Sequence, residues 1–208
     1  FDSKGLKFPD KIEAEIEKVL EEGDLSKYLV TDDKIGRAKR SDNNIYQQRY
    51  TEFVKYMFPR DINLNNFKIV LDCANGSNYK IAPMVLWELG ADLTVIGNNP
   101  TGLNINAKCG STDTRLLQKT VLKEKADLGI ALDGDADRLI MVDEKGNEID
   151  GDEIIALIAK DMKERGTLKH DTVVVTQMSN LGFENYMNGL GIKVIRSKVG
   201  DRYVTEEM

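Results

Sequence analysis

Short apolar runs alternate with helix-like segments along most of this chain, and this alternation restricts the possible folds more than any other feature. The strand-like runs lie near 68–74, 91–97, 128–132 and 138–143. Segments with apolar residues at helical spacing lie near 45–57, 79–89 and 112–125. The runs are continuous rather than alternating, as is typical of parallel strands covered on both faces. The sequence therefore predicts an α/β fold with right-handed crossovers.

The same pattern begins again after a turn at Glu144–Asn147. Further helices are expected near 152–165 and 181–189, and further strands near 172–178 and 192–197. We therefore divide the chain into three parts: residues 1–43, the end of one domain with a linker; 44–147, a complete α/β domain; and 148–208, the first part of another. The chain lacks an initial Met and ends within a helix-like segment, so we expect an internal piece of a longer protein.

Two predictions concern the ends of the first and fourth helices. A helix near 9–22 is expected to begin at Pro9 and to end at Gly23. The helix near 112–125 is expected to take Ser111 or Thr112 as its N-cap, with Asp113 in its first turn.

Three carboxylates at alternate positions, Asp133, Asp135 and Asp137, stand directly before Arg138. They follow the run at 128–132, so they lie beyond the carboxyl end of a predicted strand, where α/β sheets bind ligands. Like charges this close repel each other unless a cation binds them. Oxygen ligands in this number suit Mg²⁺ or Ca²⁺ rather than zinc, and the guanidinium suits a phosphate. This acidic loop, residues 133–138, therefore predicts a Mg²⁺ site for phosphoryl transfer.

Other interpretations of the acidic loop remain open. An EF-hand would match the carboxylates and Glu144, but its sixth position is normally Gly and here it is Arg138. A phosphatase of the haloacid dehalogenase type would use Asp133 as nucleophile in an Asp-x-Asp pattern, although the third aspartate and the arginine do not favour it. A solvated acidic turn and a non-catalytic metal-binding module are the remaining alternatives.

Composition limits the location and the partners. The net charge of −6 disfavours a nucleic-acid or anionic-membrane surface. No apolar run approaches the ~20 residues of a membrane-spanning helix, and the first residues have no signal-peptide pattern. Cys73 and Cys109 lack metal-site spacing, so a reduced cytoplasmic setting is expected. A basic cluster in the linker favours a solvated connection over a phosphate-contacting loop. Its members are Lys34, Arg37, Lys39 and Arg40.

The acidic loop, Asp133-Gly134-Asp135-Ala136-Asp137-Arg138, resembles the metal loop of the α-D-phosphohexomutases. Further stretches resemble the phosphoglucosamine mutase branch of that superfamily. They are Lys34–Arg40, Asp72–Gly76, Gly102–Asn106 and Val199–Val204. The resemblance implies repeated phosphohexomutase-type α/β domains with mixed, mainly parallel sheets. It also implies a four-domain isomerase that interconverts glucosamine 6-phosphate and glucosamine 1-phosphate for cell-wall precursor synthesis.

The resemblance implies roles for particular residues. Asp133, Asp135 and Asp137 would bind Mg²⁺, and Arg138 would contact the phosphate of a catalytic phosphoserine. A bisphosphorylated sugar would be the intermediate. Gly200, Asp201 and Arg202 would belong to a sugar-contacting loop. The family's Thr-x-x-Ser-x-x-His-Asn-Pro segment is not among these 208 residues, so we expect this piece to be inactive by itself. A phosphosugar is the expected substrate, and a homodimer is the assembly to test.

Overall fold

The computed structural model describes residues 2–5, 7–31, 34–37 and 45–208. Its first sheet has five strands in the order β2-β1-β3-β4-β5. The strands are β1 (Lys68–Asp72), β2 (Asp92–Ile96), β3 (Leu128–Leu132), β4 (Leu139–Asp143) and β5 (Glu148–Ile149). Strand β1 pairs in parallel with β2 and β3, whereas β4 pairs antiparallel with both β3 and β5. The sheet is therefore mixed: β1, β2, β3 and β5 run in one direction, and β4 runs in the opposite one.

Helices cover the two faces of this sheet. The helices here are α2 (Ile45–Met57), α3 (Ile81–Glu88) and α4 (Arg115–Glu124). Residues Leu117 and Val121 of α4 pack with Val70 of β1 in a fully buried cluster. Successive strand residues point to opposite faces, and Leu71 lines a small cavity with Val85 of α3. Thus α4 lies on one face and α3 on the other, with β1 buried between them.

A second unit follows. It contains α5 (Gly151–Glu164), β6 (Thr172–Thr176), α6 (Leu181–Gly189), β7 (Lys193–Ser197) and α7 (Asp201–Glu207). Strands β6 and β7 pair in parallel. Their core is a separate buried cluster that includes Val173, Phe183 and Met187. Parallel pairing across α6 is the arrangement predicted from the alternation of strands and helices.

The amino-terminal part contains one α-helix among its described residues, α1 (Asp10–Glu22). Pro9 precedes its first residue and Gly23, with φ of 72°, ends it, as predicted for a helix near 9–22. Its apolar residues Ile12, Ile16 and Leu20 are exposed. Among the described residues, no helix combines the length and the apolar character needed to span a bilayer.

The predicted α/β class with mixed, mainly parallel sheets is confirmed. The predicted N-cap of α4 is wrong: the helix starts at Arg115 and neither Ser111 nor Thr112 caps it. Thr114 precedes the helix, but its hydroxyl bonds to Glu148 of β5 instead of capping. The two-residue strand β5 was not predicted, and the division at 43/44 and 147/148 stays a prediction.

Candidate functional site

The acidic loop connects β3 to β4, its antiparallel neighbour. It lies at the edge where the parallel strands β1 and β3 end, since Asp72 is aligned with Ala131 in the register of the two strands. Strands flank it on both sides, and Arg138 occupies the sixth loop position. An EF-hand calcium loop is therefore excluded, because helices flank such a loop.

Asp133 is the buried member of the loop, with 1 % of its surface exposed. One carboxylate oxygen accepts the Arg138 backbone N–H at 3.1 Å, and the other accepts the Arg138 Nε–H at 2.8 Å. Burial raises the pKa of Asp133, but the bonds from Arg138 outweigh it and hold that pKa below its ordinary value. Asp133 is therefore ionised at neutral pH.

The other two carboxylates are exposed and converge on Asp133. One oxygen from each of Asp133, Asp135 and Asp137 lies within 4.8 Å of the other two. Partial loss of solvation, together with the charges of Asp135 and Asp133, raises the pKa of Asp137. The sequence-predicted ligands are thus brought together in one cluster of mutually repelling charges.

Backbone contacts fix the shape of the loop. Ala136 adopts φ of 63°, in the left-handed region, and its N–H donates to the Asp133 carbonyl at 3.1 Å. At Gly134 an added Cβ would lie 2.6 Å from Ile105 Cδ1, so the neighbouring loop leaves no room for a side chain. The turn at Ala136 and the close approach at Gly134 restrict the conformation of the loop that carries the three carboxylates.

Arg138 is 64 % exposed at its side chain and pairs with Asp133. Its Nε also lies 3.7 Å from an Asp137 oxygen. A guanidinium has five N–H donors, and the structure uses Nε on Asp133. The remaining donors of this guanidinium are suited to an anion brought there by a cation.

The predicted sugar-contacting loop lies at the start of α7. Asp201 pairs with Lys7 at 2.8 Å, and Arg202 pairs with Asp10 at 2.8 Å. Arg202 Nη1 also donates to the carbonyl of Phe8 at 3.2 Å. Gly200 adopts φ of 134° immediately before the helix. Asp201 and Arg202 therefore contact the segment before α1, and Arg202 also contacts the first residue of α1.

Lys7 pairs with Asp201 of the predicted sugar-contacting loop, and sequence reasoning missed it. Its hydrogen bond to Asp201 raises its pKa above the ordinary value despite partial desolvation, and the charge of Asp137 adds to this rise. No local pattern marks this lysine, because its hydrogen-bond partner Asp201 lies 194 residues away.

Two of the four residues of the basic cluster in the linker are among the described residues. Lys34 and Arg37 are exposed. Lys39 and Arg40 lie outside the described residues, so the choice between a solvated linker and a phosphate-contacting loop stays a prediction.

The donor set fits Mg²⁺. Oxygen ligands lie about 2.1 Å from an octahedral Mg²⁺, so they stand roughly 3–4 Å from each other. The three carboxylate oxygens, within 4.8 Å of one another, need only a small inward movement of the exposed members. Asp135 and Asp137 are free to make it, whereas Asp133 is held by its burial and by Arg138.

Family models match most of this chain. The model for phosphoglucomutase/phosphomannomutase α/β/α domain II matches residues 45–146, and that for domain III matches residues 150–208. The phosphoglucosamine mutase of Rhizobium etli is 53 % identical over all of this chain. That of Maricaulis maris is 51 % identical over all of it. The chain spans 46 % of each of these relatives.

Solved structures agree at the level of fold. A phosphoglucomutase/phosphomannomutase family protein from Burkholderia thailandensis matches 97 % of this chain and 41 % of its own, with a TM-score of 0.70 and 20 % identity. An N-acetylglucosamine-phosphate mutase matches 78 % of this chain and 34 % of its own, with a TM-score of 0.55 and 19 % identity.

The fold and the acidic loop define a class of α/β protein with a carboxylate cluster at the end of a central strand. With the sequence matches, the assignment becomes specific. The chain belongs to the phosphoglucomutase/phosphomannomutase family, and the relatives that it matches over its whole length include the phosphoglucosamine mutases of Rhizobium etli and Maricaulis maris.

Proposed function

We propose that the whole protein containing this chain interconverts glucosamine 6-phosphate and glucosamine 1-phosphate, with Mg²⁺ held by Asp133, Asp135 and Asp137. The observation that carries the proposal is the convergence of these three carboxylates within 4.8 Å beside Arg138. The choice of sugar is supported by relatives named phosphoglucosamine mutase at about half identity over the whole chain.

Each group at the site has a role in this proposal. Bound Mg²⁺ would supply Lewis-acid stabilisation of charge on a phosphoryl group. Arg138 would hold phosphate oxygens by charge-assisted hydrogen bonds. Lys7 would keep its proton, since Asp201 and Asp137 both favour the charged form, and would attract the phosphosugar. Arg202 would orient the sugar, with its side chain held by Asp10.

We propose that the phosphoryl donor is a phosphoserine outside these 208 residues. The serine Oγ–P bond breaks as a sugar O–P bond forms, which gives a bisphosphorylated sugar. After the sugar reorients, its other O–P bond breaks and the phosphoryl group returns to the serine. The chain contains no Ser-x-x-His-Asn-Pro segment, and His170 is its only histidine. We therefore propose that these residues alone do not catalyse the reaction.

A phosphatase mechanism with Asp133 as nucleophile fits the geometry less well. A nucleophilic carboxylate must reach phosphorus, but Asp133 is 1 % exposed and Arg138 bonds to both of its oxygens. The carboxylates of Asp135 and Asp137 are the accessible ones. This asymmetry suits a metal site better than covalent catalysis.

The setting and assembly are proposals as well. We propose a cytoplasmic enzyme that supplies a precursor of cell-wall synthesis and binds neither nucleic acid nor membranes, consistent with the net charge of −6. We propose a homodimer as the assembly, which sedimentation of the whole protein would test.

The proposal is tested by ³¹P NMR of the whole protein with glucosamine, glucose or mannose 6-phosphate in Mg²⁺ buffer. We expect glucosamine 1-phosphate to form, at a rate at least tenfold above that for the other two sugars. The 208-residue chain, measured in parallel, should convert none of them. Release of inorganic phosphate by the chain alone would support the phosphatase instead. Mg²⁺ binding without conversion by the whole protein would support a non-catalytic module.

A further inference from the structure

Asp72 is a buried acid that the proposed reaction does not use. It is the last residue of β1 and has 0 % exposure. A buried charge needs compensating partners, and Asp72 receives two backbone donors, one on each oxygen. The Ala74 N–H donates to Oδ1 at 2.9 Å, and the Gly110 N–H donates to Oδ2 at 2.8 Å. The carboxylate therefore joins two loops that are far apart in sequence.

Both loops continue directly to the acidic loop. On one side the Ser77 N–H donates to the Gly134 carbonyl at 2.8 Å. On the other side the Ser111 N–H, next to Gly110, donates to the Leu132 carbonyl at 2.8 Å. Leu132 and Gly134 are the two neighbours of Asp133. The backbone on either side of the buried aspartate is thus held by loops that Asp72 connects.

The contacts around Asp72 are too close to be rearranged without cost. A Cβ added at Gly97 would lie 2.4 Å from Asp72 Oδ1. A Cβ at Gly110 would lie 2.6 Å from the Leu132 carbonyl oxygen, and one at Gly76 would lie 2.4 Å from that of Gly134. At Gly110 and Gly76 backbone packs directly on backbone, and at Gly97 backbone packs on the Asp72 carboxylate. A shift of either loop is therefore transmitted to the acidic loop.

We propose that Asp72 is a positioning residue, whose carboxylate sets the acidic loop in its metal-binding shape through the Ser77–Gly134 and Ser111–Leu132 hydrogen bonds. The metal part of this inference rests on the proposed function. Asp72 is not one of the three converging carboxylates, and it acts through the backbone of two loops. Two N–H donors converge on it, so both of its oxygens must accept. An asparagine offers only one accepting oxygen and turns its NH₂ toward the other donor.

The test compares Asp72→Asn with Leu117→Ala in the 208-residue chain. Leu117 is buried in α4, so its truncation lowers stability without touching these loops. Amide hydrogen exchange of Ser77 and Ser111 is measured by NMR without metal, and Mg²⁺ affinity by calorimetry. We expect Asp72→Asn to speed exchange at both amides and to weaken Mg²⁺ binding, each at least fivefold more than Leu117→Ala does. Equal effects of the two variants on exchange would overturn the proposal.

A measurement on the unsubstituted chain keeps the test informative if Asp72→Asn does not fold. Coupling between two sites is reciprocal, so saturating Mg²⁺ should slow exchange at Ser77 and Ser111. Mg²⁺ binding that leaves both amides unchanged would refute the inference. If the unsubstituted chain binds no Mg²⁺, the metal part of the proposed function fails. The comparison of metal-free exchange in Asp72→Asn and Leu117→Ala then decides whether Asp72 holds the loops.

Discussion

Asp133 differs from the two other aspartates of the acidic loop in burial and in partner. It is 1 % exposed and bonded twice to Arg138, whereas the side chain of Asp137 is 71 % exposed. Arg138 hydrogen-bonds directly to the buried carboxylate but approaches Asp137 only to 3.7 Å, so the two exposed carboxylates are less well compensated. A cation is therefore attracted most strongly to Asp135 and Asp137.

The first residue-scale prediction concerns Asp135→Asn. The substitution removes one ligand, so Mg²⁺ affinity measured by calorimetry should fall at least about tenfold, since even outer-sphere partners of metal sites contribute that much. It also removes one of three repelling charges. The thermal midpoint in metal-free buffer should therefore stay equal or rise.

Asp92→Asn is the matched control for this prediction, because Asp92 is an exposed acid at the start of β2, away from the loop. This substitution should change neither the Mg²⁺ affinity nor the thermal midpoint in metal-free buffer. A metal-free midpoint that drops for Asp135→Asn but not for Asp92→Asn would contradict the repulsion argument.

The cysteines give a second residue-scale prediction. Burial raises the pKa of Cys73 to about 12, with a smaller contribution from Asp72, and burial also raises the pKa of Cys109. Only thiolates react rapidly, so neither thiol of the folded chain should react with a disulfide reagent at pH 8. Both should react in denaturant. Fast labelling of either thiol in the native chain would show that its surroundings are wrongly described.

The same shift has a consequence for stability at alkaline pH. The folded-state pKa of Cys73 lies above the unfolded value of about 9, so burial of the neutral thiol stabilises the fold fully below pH 9. That contribution is lost as pH rises from 9 toward 12. Urea unfolding of the chain and of Cys73→Ala across this range should give a steeper alkaline loss for the unsubstituted chain.

At the scale of elements, the sequence predicted the presence of the strands better than their direction. The apolar runs identified β1 to β4 and β6 to β7, because continuous burial requires continuous apolar residues. They could not indicate that β4 is antiparallel to β3, since hydrophobicity does not encode strand direction. The two-residue strand β5 was too short to produce a pattern. Its position depends on tertiary bonds, including that of Thr114 to Glu148.

The capping box of α5 carries the element-scale prediction. The Asp150 side chain accepts the Glu153 N–H at 2.9 Å, and Glu153 accepts the Asp150 N–H at 3.0 Å. Asp150→Ala should therefore lower the free energy of unfolding by about 1 kcal/mol, whereas Asp150→Asn keeps the cap and should cost little. Urea midpoints measure both. Equal losses for the two variants would mean that the cap is not what stabilises α5.

At the scale of the whole molecule, the site unites parts of the chain that sequence reasoning treated separately. The acidic cluster could be predicted because its three ligands lie within five residues. The pairing of Lys7 with Asp201 joins residues 194 apart, and no local pattern encodes such a contact. The Asp72 connection was likewise hidden, because its partners are backbone N–H groups that every residue but proline possesses.

At this scale, these 208 residues supply only some of the groups that the proposed reaction needs. The chain spans 46 % of the Rhizobium etli relative, and its described residues supply three carboxylates and a guanidinium at the end of β3. In the proposed function, these groups hold Mg²⁺ and a phosphate. In the proposed reaction, the phosphoryl group itself comes from a serine beyond these residues.

The most direct test of the central claim is the Mg²⁺ dependence of sugar-phosphate conversion by the whole protein, followed by ³¹P NMR for the unsubstituted enzyme and for Asp137→Asn. If the acidic loop holds the ion, chelation should abolish conversion, and Asp137→Asn should require at least about tenfold more Mg²⁺ for its half-maximal rate. An unchanged Mg²⁺ requirement in Asp137→Asn, or full activity after chelation, would contradict the account.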